Sequence, residues 1–222
     1  MISGPANDRV FRSVLEVQLD DHHGGRYCEG TRNNGSKYYC GDIRLGPVKL
    51  RKKLLLSGIL EEYDRIGMLT SAQCLTGWWN ATARCWRYPP QYGLQLDISG
   101  NPIVGYQALS VGLFVDRFGS ERGRFLAPAD TPYSQHLLPP LNLDTPTTGT
   151  VYPHSYHVYR VVNSFVVLSG PIAPWFGQPD QGVQYASDMT MSDLILAGYI
   201  NPRTSPMSVV LEREIQVQIL KR

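Results

Sequence analysis

Tyr88-Pro89-Pro90 divides the chain. Two successive prolines remove two backbone donors and hold the preceding residue extended, so no helix crosses this point. Ahead of it lie all four cysteines, Cys28, Cys40, Cys74 and Cys85, none at the close C-x2-C spacing of a structural zinc site. Beyond it, short apolar runs alternate with Gly and Pro, as strands joined by turns do. The sequence therefore predicts an α+β chain in two parts. Residues 1–88 form a mostly helical and loop lobe stapled by disulfides, and residues 89–222 a compact twisted sheet with few helices.

Cysteines confined to one segment suit a lobe with little core of its own, which points to two disulfides and an oxidising compartment; buried thiols in a cytosolic protein are the alternative. Four cysteines allow three pairings, and local pairing of Cys28 with Cys40 and Cys74 with Cys85 is the expectation. Asn34-Gly-Ser and Asn80-Ala-Thr match the N-glycosylation acceptor pattern. Pro47 opens an apolar and basic stretch, and Thr70-Ser-Ala-Gln73 has the spacing of a capping box. A helix through Trp78 and Trp79 should follow, with both rings covering the lobe's core. Met1-Ile-Ser-Gly-Pro lacks a basic start and an apolar centre, so the chain as given carries no signal peptide, and a mature secreted chain is expected.

In the second part strands are expected over 94–98, 110–115, 156–168 and 210–220; the last alternates Leu211, Arg213, Ile215, Val217 and Ile219 with Glu and Gln. Ser192 and Gly198 bracket a short helix as N-cap and stop. Charged residues are only 18% of the chain, the net charge is +2, and no basic run exceeds Arg51-Lys52-Lys53, which argues against a nucleic-acid partner. The longest apolar run, 54–60, falls far short of the roughly 20 residues a membrane-spanning helix needs. No G-x-S-x-G, Walker or dinucleotide fingerprint occurs. His154 and His157, three apart on an extended segment, point to opposite faces and make a poor metal pair, while His22-His23 reads as solvated loop. The chemistry concentrates in 116–185, where Arg117, Arg122 and Arg124 stand beside aromatics with few carboxylates, a composition suited to gripping phosphate while a ring stacks on a heterocycle.

Asp116-Arg-Phe-Gly119, Gly123-Arg-Phe-Leu126, Thr131-Pro-Tyr133, Leu138-Pro-Pro140, Tyr156-His-Val-Tyr-Arg-Val161 and Gly170-Pro-Ile-Ala-Pro-Trp-Phe-Gly-Gln-Pro179, followed by Gln184-Tyr185, together resemble the TNT domain. That family is named for the tuberculosis necrotizing toxin, and its members hydrolyse NAD. The resemblance covers about half of the chain, from Tyr92 to Tyr199. The preceding lobe, with Tyr39-Cys-Gly-Asp42, Tyr63-Asp-Arg65 and Tyr88-Pro-Pro90, is similar to the cysteine-bearing part of fungal secreted, cell-surface members. The resemblance implies cleavage of NAD, and of NADP as a further candidate, to nicotinamide and an ADP-ribose. It also implies a homodimer and, in the fungal branch, a calcium ion for which no ligands are identifiable here; the chemistry itself requires no cofactor.

By the same resemblance Arg117 and Gln184 are the catalytic positions, with Arg117 on the diphosphate and Gln184 aligning ribose hydroxyls or water. Phe125, with Trp175 or Phe176, would wall the nicotinamide, and Arg124 and His136 would complete the substrate site. His136 stands where the family usually has arginine, replacing a fixed cation by a titratable imidazole. A neutral pyridine leaves without a proton, so the lack of a carboxylate pair does not count against this reaction. Two other outcomes stay open: an ADP-ribosyltransferase, for which no Glu near Gln184 is evident, and a secreted NAD-binding protein without catalysis.

Overall fold

The computed structural model describes residues 28–32, 35–50, 55–145, 152–179 and 181–203. The expected 210–220 strand, Asn34 and His22-His23 lie outside them.

The described residues of the first part are mainly turns. Two short helices, α1 (Leu55–Ile59) and α2 (Ser71–Trp78), are followed by a two-stranded ribbon, β1 (Trp79–Asn80) with β2 (Cys85–Trp86). Thr70 caps α2 as its spacing predicts: its hydroxyl accepts from the Gln73 amide while the Gln73 side chain accepts from the Thr70 amide. The helix stops at Trp78, one residue early, because Trp79 turns extended and starts β1. Cys28 and Cys40 form a disulfide across a Cα–Cα distance of 5.1 Å. The expected Cys74–Cys85 bridge is absent and both remain thiols. Cys74 projects from α2 into the core, whereas strand alternation in β2 turns Trp86 inward and Cys85 outward, so the two sulfurs face different environments.

Among the described residues the second part is a seven-stranded antiparallel sheet of β3 (Gly105–Leu109), β4 (Phe114–Phe118), β5 (Phe125–Pro128), β6 (Tyr156–Val161), β7 (Phe165–Pro171), β8 (Val183–Ala186) and β9 (Ile200–Pro202), in spatial order β3-β7-β8-β5-β4-β6-β9. The single expected run 156–168 is two strands. The Tyr199 carbonyl takes the amides of both Val162 and Asn163, which turns the chain and sends β6 and β7 to positions separated by three strands. The centre of the expected 110–115 strand is a turn, since Gly112 has φ 93°. Over 94–98 only isolated bridges form, Leu94 with Ile172 and Leu96 with Pro102. Helix α3 (Met191–Leu196) is capped by Thr190 instead of Ser192, because Thr190 and Asp193 exchange both capping bonds; Gly198 ends it as expected.

Alternation along β4 assigns the two faces of the sheet. Phe114 and Phe118 pack with Leu56, Ile59, Tyr133 and Tyr156 on one side, and Val115 with Leu126, Tyr159 and the α3 residues Met191 and Leu194 on the other. A third cluster joins Leu45, Ile66, Cys74 and Trp86 of the first part to Phe176 of the second. Among the described residues no helix is long and apolar enough to cross a membrane.

Candidate active site

The face of β4 that carries Phe114 and Phe118 also carries Asp116, and beside it opens a cavity of about 690 Å3. That is within the range of small-molecule sites. Arg117, Phe125, His136 and Gln184 all border it, together with Asp116 and Tyr92. Four separate elements are thus brought together: β4, β5, β8 and the turn after Tyr133. A larger depression of about 870 Å3, between Lys37, Lys49 and His154, includes none of the residues selected from the sequence.

Gln184 is buried on β8 and donates from Nε2 to the Tyr92 carbonyl at 2.7 Å. A carbonyl can only accept, so this bond fixes the amide orientation and leaves Oε1 as the acceptor available to a ligand. Phe125, at the start of β5, keeps 38% of its surface exposed, an apolar ring at the cavity mouth.

Arg117 meets the cavity at its rim. Its side chain projects to the face opposite Asp116, where it is desolvated and feels Glu121 and Tyr159. Nε donates to the Ser120 carbonyl at 2.9 Å and Nη1 to the Phe125 carbonyl at 2.7 Å, so the guanidinium ties the β4–β5 hairpin together. These two bonds use two of its five N–H groups. Burial lowers its pKa from the ordinary arginine value, with Glu121 and Tyr159 acting in the opposite direction.

His136 is buried, with Nε2 at 3.1 Å from the Thr131 carbonyl and 3.6 Å from Asp116 Oδ1. Both neighbours accept, so Nε2 carries the proton of a neutral ring. Burial pushes its pKa down to about 4 from 6.5. Asp116 itself accepts from the Tyr156 hydroxyl at 2.8 Å and the Asp130 amide at 3.0 Å. Between pH 6.5 and about 4 the unfolded chain binds a proton at His136 that the folded chain refuses, so stability falls as pH falls. The total is about 3 kcal/mol. Unfolding free energies of the native protein and His136→Gln, from urea titrations, should therefore converge by about this amount between pH 7 and pH 4; parallel acid slopes would show that the ring is not held neutral.

Three sequence-selected residues lie elsewhere. Phe176 is 1% exposed and packs edge-on against Trp86 and Tyr88, at 5.5 and 5.4 Å between centroids, one layer behind the cavity wall that Tyr88 contributes. Trp175 is 4.9 Å from Trp78 and donates its indole N–H to the Arg87 carbonyl. Both belong to the aromatic core between the two parts of the chain. Arg124 is exposed and lies near Asp193, at the start of α3. Asp116 and Tyr92, in turn, were not singled out from sequence: a lone carboxylate in a strand and a tyrosine after Pro-Pro carry no spacing signal. Asn80 ends β1, and its Oδ1 accepts from the amides of Thr82 and Ala83 in the turn that follows. Among the described residues no three His, Cys, Asp or Glu side chains cluster as a metal site, so no calcium ligands are assigned here.

Fold and cavity define the class: an antiparallel sheet whose strands bring an apolar ring, an oriented carboxamide and a carboxylate to one opening, with a guanidinium bracing the hairpin that carries the ring. Residues 108–202 match the family model for TNT, the tuberculosis necrotizing toxin. Over 175 residues the chain is 45% identical to the conidial surface nicotinamide adenine dinucleotide glycohydrolase nadA of Aspergillus fumigatus, covering 78% of this chain and 74% of that protein. The chain belongs to this family. Among solved structures, that of the tuberculosis necrotizing toxin complexed with its immunity factor IFT aligns with a TM-score of 0.41 at 19% identity, over 53% of this chain and 62% of that one.

Proposed function

We propose that the protein is an NAD glycohydrolase that cleaves the nicotinamide–ribose bond of NAD, and of NADP, to release nicotinamide and the ADP-ribose. The observation that carries this reading is the convergence of Gln184, Phe125 and Arg117 on one cavity. As the bond from ribose C1 to the pyridinium nitrogen breaks, the electron pair goes to the nitrogen and nicotinamide leaves neutral, while positive charge develops on the ribose. The Gln184 Oε1 then accepts a hydrogen bond from a ribose hydroxyl or from the incoming water, orienting it for attack. Asp116 supplies a carboxylate whose field stabilises the developing positive charge, and neutral His136 does not cancel it. Arg117 offers its remaining N–H groups and its charge to the diphosphate from the rim while holding the hairpin that carries Phe125. No cofactor takes part in these steps.

The relative named for the conidial surface supports a cell-surface setting, in which Asn80 and Asn34 are glycan acceptors. The molecule is a homodimer, a reading helped by the exposed edge strand β3 with Tyr106 outward. The decisive experiment mixes purified protein with NAD and counts products, with and without a calcium chelator. Nicotinamide and free ADP-ribose in equal amounts are expected. Ribosylated protein in place of free ADP-ribose would indicate a transferase, and binding without products a catalytically silent receptor; either result overturns the hydrolase reading.

A further inference from the structure

The segment just beyond Pro89-Pro90 is held in an unusual backbone conformation. Gln91, Tyr92 and Gly93 follow one another with φ of 52°, 59° and 78°. Packing accounts for the glycine, since a Cβ there would lie 2.0 Å from Leu137 Cδ2. It does not account for Tyr92. A left-handed tyrosine is disfavoured, and burial gives little back, because the residue is 67% exposed. What the conformation achieves is placement. The Tyr92 ring stands at the cavity mouth with its centroid 6.0 Å from that of Phe125 and the planes tilted by 56°, while its carbonyl anchors Gln184.

Resting on the hydrolase reading, we propose that Tyr92 is the second aromatic wall of the nicotinamide subsite, and that Tyr92 and Phe125 take the flat pyridinium between them, selecting the oxidised, cationic dinucleotide over the reduced one. A ring in van der Waals contact on both faces needs its neighbours about 7 Å apart. The observed pair is roughly 1 Å closer than that and tilted, an adjustment open to two rings that both reach solvent. Trp175 and Phe176, the other aromatics considered for this role, are committed to the core, and Tyr88, which also borders the cavity, packs edge-on against Phe176; Tyr92 is the exposed ring paired with Phe125 across the opening.

The chemistry of the ligand makes the proposal specific. An aromatic face attracts a cation through its quadrupole. Oxidised nicotinamide carries its positive charge in the ring, whereas the dihydropyridine of the reduced dinucleotide is neutral. The charge leaves the ring as the glycosidic bond breaks, so this attraction is greatest for bound substrate and smaller in the transition state. Tyr92 therefore governs substrate affinity and redox selectivity more than the rate of the chemical step.

Tyr92→Leu keeps apolar bulk and the backbone carbonyl that holds Gln184, and removes the π face. The expected result is a KM for NAD raised about 10-fold, kcat unchanged or raised by up to about threefold, and an inhibition constant for the reduced dinucleotide changed less than about twofold. Tyr92→Phe restores the KM. If KM is unchanged in Tyr92→Leu, or if the inhibition constant of the reduced dinucleotide rises in parallel, the proposal fails while the hydrolase reading stands. A wild-type protein that releases no nicotinamide would instead remove the reading on which the proposal rests.

Discussion

Gln184→Ala is expected to reduce nicotinamide release by about 100- to 1,000-fold, the loss seen when one oriented polar group is deleted from a site of developing charge. The fold should hardly register the change. Among the described residues the Gln184 side chain makes one hydrogen bond, from Nε2 to the Tyr92 carbonyl. Its removal costs about 1 kcal/mol, or a few degrees in Tm for a chain of this size. Because that bond orients the amide, Gln184→Glu is the sharper variant. A carboxylate of nearly the same shape keeps an acceptor toward the cavity but cannot donate to Tyr92, so the orientation of the acceptor and the position of the Tyr92 turn are lost together. Both variants should bind ADP, which lacks the nicotinamide riboside that Gln184 faces, with affinity close to wild type. Turnover within tenfold of wild type in Gln184→Ala would remove Gln184 from the chemistry.

The parts of this molecule legible in the sequence are those determined by neighbours along the chain. Thr70 and Gln73 cap α2 because a capping box is a local exchange of hydrogen bonds, and Gly198 ends α3 because a left-handed residue is needed there. The same logic explains the error at α3. Thr190-Met-Ser-Asp193 is also a capping frame, and the reciprocal Thr190–Asp193 bonds outcompete Ser192. What the sequence did not disclose depends on contacts distant along the chain. Nothing local says that Phe176 turns into a pocket of Trp78, Trp86 and Tyr88, or that Cys74 and Cys85 look in different directions. Strands β5 and β8 are too short for periodicity to reveal, yet they carry Phe125 and Gln184. These two residues were found through the resemblance of the surrounding motifs, and their meeting at one cavity follows from the pairing of Leu126 with Tyr185.

Gly123→Ala is the second change expected to have a large effect, and it acts on a residue that has no side chain to offer. A Cβ built on Gly123 would lie 1.9 Å from Arg117 Nη2 and 2.3 Å from its Cζ. The backbone at Gly123 is not left-handed, so alanine is tolerated locally, and the obstacle is the end of a long side chain that can swing away. The methyl group therefore evicts the guanidinium from the hairpin. Arg117 then loses its bonds to the Ser120 and Phe125 carbonyls, and Phe125 loses its fixed position at the cavity. Misplacement of a substrate-positioning group by about 1 Å is enough for a 100-fold loss of turnover, and that is the expected magnitude. Losing two hydrogen bonds should lower stability by about 2 kcal/mol. Arg117→Lys should behave alike, since a point charge on a single stem cannot span both carbonyls. The test of mechanism is a double-mutant cycle on stability. Once Arg117 is alanine the space opposite Gly123 is vacant, so adding Gly123→Ala should cost almost nothing further. Equal destabilisation by Gly123→Ala with and without Arg117 would mean that the glycine serves the turn alone, and that the close approach of the guanidinium to it has no part in building the site.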